Sequence, residues 1–158
     1  MGLALRSEQR LAGVHPHLAR VVRVAAELEG PDILVVEGYR SAERQARLYA
    51  AKLTKIKSGG PHQRGEAVDL CVMVDGDDRW DGPAFPPLAD RMRAAAQNLR
   101  IPLRWGGCWD RPVLLWTRPA EEELALYMRR WYAKHPQQLS GEQKQPFLDQ
   151  PHFELHNP

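Results

Sequence analysis

The sequence predicts a single α+β domain. Four segments carry apolar residues at helical spacing, and four short runs between them read as strands. The 158 residues are 43% hydrophobic and 27% charged, the balance of a globular chain long enough to bury one core. No internal repeat, heptad array or low-complexity block is present.

From Pro16 to Glu29, the residues Leu18, Val21, Val22, Ala25 and Leu28 mark an amphipathic helix that Gly30-Pro31 stops. Ile33, Leu34, Val35 and Val36 form a β-branched run, expected as a buried strand leading into Glu37-Gly38-Tyr39-Arg40. Ser41 is a good N-cap, Glu43 sits in the first turn, and Ala42, Gln45, Leu48 and Tyr49 continue a helix to about Leu53. Lys57-Ser58-Gly59-Gly60-Pro61 is loop chemistry that delivers His62 to the next strand. That strand, Glu66 to Val74, alternates. Ala67, Asp69, Cys71 and Met73 share one face and Val68, Leu70, Val72 and Val74 the other, so Asp69 interrupts an apolar strand and needs a partner.

Residues 75 to 87, rich in Asp, Gly and Pro, are expected to form a surface loop in which nothing packs. Leu88, Met92, Ala95, Ala96 and Leu99 mark a helix, and Leu103-Arg104-Trp105-Gly106-Gly107 reads as a strand ending in a tight turn. Pro119 fits the N1 position of a last helix. Its first turn carries Glu121, Glu122 and Glu123, its stripe is Leu124, Tyr127, Met128 and Trp131, and it ends before Pro136. Residues 135 to 148 read as polar loop, and Pro151-His152-Phe153-Glu154-Leu155 as a short strand.

Composition excludes several classes of function. A net charge of +2 is too small to imply a phosphate-tracking surface, so nucleic acid is not an expected partner. No apolar run approaches the ~20 residues that span a bilayer, and the first residues lack a basic segment followed by an apolar stretch, so membrane insertion and export are not expected. The chain is expected to stay at first in a cytosol, as a monomer. Two cysteines, Cys71 and Cys108, make neither a disulfide framework nor a CxxC pair. Any metal must be held by His and carboxylates. Walker, dinucleotide and Gly-x-Ser-x-Gly patterns are absent.

The candidate ligands are His62, Asp69 and His152. The spacing of His62 and Asp69 carries little weight alone, but the Gly-Gly-Pro turn before His62, the small Gly65 and Ala67, and the projection of Asp69 from a strand strengthen it. Two His and one carboxylate leave a tetrahedral zinc one open position, the arrangement of catalytic sites. The alternative is a core Asp hydrogen-bonded to a neighbouring His. Asp149 can place a carboxylate beside His152, or serve only as a turn residue, and Glu154 competes for the same role because it shares a face with His152 in an extended segment. Arg40 can present a guanidinium to an oxyanion or be solvated or paired. Trp105 and Trp109 can wall a groove or belong to the core, and Cys71 can approach the metal or pack as a small hydrophobe. His15, His17, His135 and His156 read as surface residues.

Taken together, these segments resemble the M15 family of zinc peptidases, especially the phage endolysin and VanY-like branch. Glu37-Gly38-Tyr39-Arg40-Ser41-Ala42-Glu43-Arg44-Gln45, with Leu48-Tyr49, resembles the family's Gly-Tyr-Arg-Ser element, whose arginine helps bind and polarise substrate. His62-Gln63-Arg64-Gly65-Glu66-Ala67-Val68-Asp69 fits His-x-x-Gly-x-Ala-x-Asp, the source of two zinc ligands. Trp105-Gly106-Gly107 resembles the Trp-Gly-Gly turn. Asp149-Gln150-Pro151-His152 resembles the acid-x-x-His ending, with His152 as third ligand and Asp149 at the catalytic carboxylate position. Gly60 stands where the family often has Ser, so a hydrogen bond to the first ligand is either missing or supplied by Ser58.

The resemblance implies a hedgehog/DD-peptidase-like fold, with helices packed on a small, largely antiparallel sheet, and one zinc peptidase domain over residues 1–158 carrying a helical insertion at about 110–148. It implies a Zn2+-dependent peptidoglycan hydrolase of endolysin type that cuts stem peptides at a bond such as L-Ala-D-Glu, resides in the host cytoplasm before release, and acts on the wall. Tyr127 and Trp131, on the apolar stripe of the last helix, can border an extended groove or pack into the core, the commoner outcome. The alternatives are a D-alanyl-D-alanine carboxypeptidase or dipeptidase, a non-catalytic zinc-containing binding module, and a metal-free structural domain.

Overall fold

A computed structural model describes residues 2–136 and 145–156. Its helices are α1 (Leu5–Arg10), α2 (Pro16–Glu27), α3 (Ala42–Ala50), α4 (Phe85–Leu99) and α5 (Ala120–Lys134), and its strands are β1 (Asp32–Glu37), β2 (Ala67–Val74), β3 (Asp77–Arg79), β4 (Leu103–Trp105) and β5 (His152–Leu155). The strands form one sheet in the order β1-β2-β5-β4, and every described pairing is antiparallel. Strand β2 is the centre. β5 pairs with residues 67–69 and β3 with residues 72–74, while β1 runs along the other edge.

Helices α2 and α4 pack on each other, and α4 lies against β2 and β4. The apolar stripe of α2 (Leu18, Val21, Val22, Ala25) and that of α4 (Leu88, Met92, Ala96) are buried with Val35, Val68, Leu70, Trp105 and Phe153 in one cluster. Arg91 of α4 is 9% exposed, and its Nη atoms donate to the carbonyls of Ala25 (3.0 Å), Leu28 (3.1 Å) and Pro31 (2.5 Å). It thereby ties down carbonyls at and just beyond the C-terminal end of α2, where helical partners run out.

Helix α1 escaped the sequence reading. It is short, and its function is to cover β1: the Val35 N–H donates to Ser7 Oγ (3.1 Å), and Arg10 Nη1 donates to the Val35 carbonyl (2.7 Å). These bonds sit at the bulge between Val35 and Glu37 and close part of the exposed edge.

The expectation of an unpacked loop over 75 to 87 is corrected. Asp75 and Gly76 both adopt positive φ (54° and 90°), and Val74 pairs with Asp77, so this Asp-Gly is a two-residue hairpin turn between β2 and β3. Helix α4 also starts at Phe85, with Phe85 and Pro86 buried. Helix α3 stops at Ala50 rather than about Leu53, because Lys52 turns left-handed (φ 59°) and the Leu53 N–H bonds back to Leu48. Pro119 is the N-cap of α5, one place before the N1 position expected. Of the polar loop read over 135 to 148, residues 137–144 lie outside the described residues.

Candidate metal centre

Strand register builds the site. Asp69 is the cross-strand partner of Glu37 on β1 and of His152 on β5, so three separated motifs meet at one rung of the sheet. His62 arrives from the 3-10 turn Pro61–Arg64 that precedes β2. That turn closes at Gly65, which is left-handed (φ 71°) and so close to the Gly13 carbonyl that a Cβ would collide with it. The Arg40 N–H donates to the His62 carbonyl at 3.0 Å, tying the arginine loop to the turn.

His62 Nε2 lies 3.3 Å and His152 Nδ1 3.1 Å from the same atom, Asp69 Oδ1. The other nitrogen of each ring is already engaged: His62 Nδ1 faces the Gly38 carbonyl at 2.8 Å, and His152 Nε2 faces Glu154 Oε2 at 3.1 Å. A carbonyl only accepts, so His62 Nδ1 carries the hydrogen, and a neutral His62 directs a lone pair at Asp69. The same holds for His152 when Glu154 is ionised. With nothing bound between them, those lone pairs would face a carboxylate oxygen.

A divalent cation held there would accept those lone pairs and the carboxylate oxygen together. Ligands about 2.0–2.1 Å from a tetrahedral zinc stand about 3.3 Å apart, which the two observed separations match. The three ligand atoms lie within 4.8 Å of one another, and both His are buried. The donor set therefore fits zinc. Burial alone would raise the Asp69 pKa, yet the neighbouring His152 and His62 hold it far below the usual carboxylate range. Burial opposes charging of His152, but Asp69 and Glu154 push its pKa up to about 9.

The family model described as phage L-alanyl-D-glutamate peptidase matches residues 1–118. The chain belongs to this family. It is 34% identical over 107 residues to the L-alanyl-D-glutamate peptidase of Escherichia phage T5, an alignment covering 66% of this chain and 78% of that protein. The crystal structure of the Serratia marcescens L-Ala D-Glu endopeptidase ChiX is similar over 99% of this chain and 90% of its own, with a TM-score of 0.70 and 28% identity. The family match takes in Arg40, His62 and Asp69, whereas Asp149 and His152 fall within the wider structural match.

In this phage peptidase fold the ligand atoms open on a cleft of about 710 Å3 that Arg40, Asp149, Glu154 and Trp109 also line. The Asp149 backbone is fixed by its N–H bonding to the Gly106 carbonyl (2.9 Å), so close that a Cβ on Gly106 would strike the Asp149 carbonyl. Burial raises the Asp149 pKa, against the pull of His152. Glu154 is held differently. Its two oxygens face His152 (3.1 Å) and Arg104 Nη1 (3.3 Å), and these partners outweigh burial and lower its pKa. It stands on the far side of the ring from Asp69.

Arg40 is held by Glu37 (2.5 Å) and Gln45 (3.0 Å), while its Nε is buried without a partner among the described residues. Glu37 also binds Arg44 at 2.5 Å. Sequence reasoning missed this role of Glu37, although a carboxylate ending an apolar strand just before two arginines was a readable signal. It also missed the Gly38 carbonyl, which gives His62 the hydrogen bond sought from Ser58.

Other expectations divide. Trp109 lines the cleft, with its ring 5.5 Å from that of His152, whereas Trp105 is fully buried and stacks on Phe153 in the core. Tyr127 and Trp131 do not border the cleft: α5 packs on α4, Tyr127 is buried, and Trp131 stacks on His135 at 4.2 Å. Phe147 and Leu148 line that side instead. Cys71 is a buried thiol, its pKa pushed up to about 11 by burial, and stands apart from the ligand cluster. His15 caps α2, accepting from the His17 N–H at 3.2 Å, and His15, His17, His135 and His156 do not join the cluster.

Proposed function

We propose that this protein is a zinc-dependent endopeptidase that hydrolyses the L-alanyl-D-glutamate bond of peptidoglycan stem peptides, with His62, Asp69 and His152 as ligands. The observation that carries the reading is the pair of imidazole nitrogens aimed at one Asp69 oxygen, each ring fixed from behind by an acceptor. Zinc bound there supplies Lewis acidity, polarising a carbonyl and acidifying water toward about neutral pKa.

Asp149, buried enough for its pKa to rise and backed onto the Trp-Gly-Gly turn, takes the proton of the attacking water and returns it to the D-glutamyl amine as the amide breaks. Arg40, braced by Glu37 and Gln45, stabilises the carbonyl oxygen as it gains charge. Glu154 orients His152 and does not exchange protons with substrate. Residues 1–158 form a single peptidase domain with a helical insertion at about 110–148, whose helix α5 packs on α4. As a phage lysin the enzyme waits in the host cytoplasm and meets its substrate once the membrane is permeabilised.

Metal analysis of the purified protein and of His62→Ala, Asp69→Ala and His152→Ala tests the ligand set. About one zinc per chain is expected, with metal and activity lost in each variant. Stoichiometric zinc and full activity in all three would refute it.

A further inference from the structure

A ladder of rings leaves the metal site. Trp109 lies 5.5 Å from His152, Phe147 stacks on Trp109 at 5.7 Å, and the Lys55 ammonium stands 5.4 Å from the centre of the Phe147 ring. Lys52 lines the same cleft. Both lysines are exposed, and neither makes an ion pair among the described residues. Of the cleft's carboxylates, Glu37 holds Arg40 and Arg44, Asp69 and Glu154 hold His152, and Asp149 pairs with neither lysine. Among the described residues, the lysine end of the cleft is therefore a cationic patch without an ion-pair partner, beside an aromatic wall.

The segment that carries these lysines is anchored at both ends. Lys52 N–H bonds to Tyr49 at 3.0 Å and Leu53 N–H to Leu48 at 2.9 Å, closing α3, and Gln45 Nε2 bonds to the Ile56 carbonyl. Gln45 also grips Arg40, so the lysine segment and the arginine are set by one buried amide. Less loop ordering is then required when an anion binds.

Resting on the peptidase reading above, we propose that Lys52 and Lys55 form a carboxylate subsite that recognises the stem peptide on the D-glutamyl side of the cut, with Trp109 and Phe147 as the wall along which the peptide lies. Glutamate is dicarboxylic: with its amine in the scissile amide and one carboxyl carrying the chain onward, the other remains free, and the peptide ends in a further carboxylate. The alanine side chain is only a methyl group, with no charge for a lysine to read. The ladder spans no more than about five extended residues, so either carboxylate is within reach.

The test compares zinc-loaded wild type with Lys52→Met/Lys55→Met on three synthetic peptides containing L-Ala-D-Glu: one with both carboxylates free, one amidated at the glutamyl carboxyl, and one amidated at the C-terminus. The wild type is expected to prefer the free peptide about tenfold in kcat/KM over one of the amides, which identifies the carboxylate read, with the difference carried by KM. The double variant is expected to lose that preference to within twofold, and Lys52→Arg/Lys55→Arg to restore it. A double variant that keeps the full preference, or a wild type that cleaves all three peptides equally, overturns the subsite while leaving the peptidase reading standing. A wild type that cleaves none of them overturns both.

Discussion

Glu154 Oε2 lies 3.1 Å from Nε2 of His152, on the opposite side of the ring from Asp69. A carboxylate there fixes the tautomer and aims Nδ1 at the metal position. Removing such a support typically costs 10–100-fold in metal affinity. Glu154→Gln should therefore weaken zinc binding by about that factor, read by competition with a chelating dye, while saturating zinc restores most of the rate.

Asp149→Asn should behave in the opposite way. The amide fills the same space but cannot take a proton, so zinc content and Tm should stay near wild type while kcat falls by about 10²–10⁴-fold. If Glu154→Gln loses more rate at saturating zinc than Asp149→Asn, the proton-transfer role belongs to Glu154.

Gly106 touches the Asp149 backbone so closely that any side chain must displace it. Gly106→Ala should destabilise the fold by about 1–3 kcal/mol, as overpacking does, and lower kcat even in the folded fraction. Thermal unfolding combined with single-turnover rates at low temperature separates the two effects. An unchanged kcat would show that the Trp-Gly-Gly turn does not position Asp149.

Arg91 satisfies carbonyls at the end of α2 from a place far along the chain. Arg91→Ala should cost about 3 kcal/mol, since hydrogen bonds from a charged donor are the stronger ones and all of them are lost together. Urea unfolding measures it, and zinc affinity of the folded protein should be unaltered.

The residues that needed to be read one at a time were the most legible. Asp69 in an apolar strand demanded a partner, and the candidate ligands that the fold brings together, the arginine after β1 and the Trp-Gly-Gly turn were all visible as types in order. What stayed hidden depended on register. Nothing local places Glu37 opposite Asp69, because the bulge between Val35 and Glu37 shifts the pairing. Glu154 competed with Asp149 for one role because alternation puts it on the face of His152 but does not say which ring nitrogen it meets. Asp75-Gly76 was a hairpin signal read as loop, outweighed by the acidic and proline-rich residues after it. The aromatic stripe of α5 was open to either outcome, and packing against α4 decided it.

Digestion of purified sacculi by the zinc-loaded protein, with mass spectrometry of what is released, tests the central claim most directly. Stem peptides that begin with D-glutamate are expected, with L-alanine left on the glycan, and none of these products from Asp149→Asn. Release of free D-alanine alone, with no peptide beginning at D-glutamate, would contradict it.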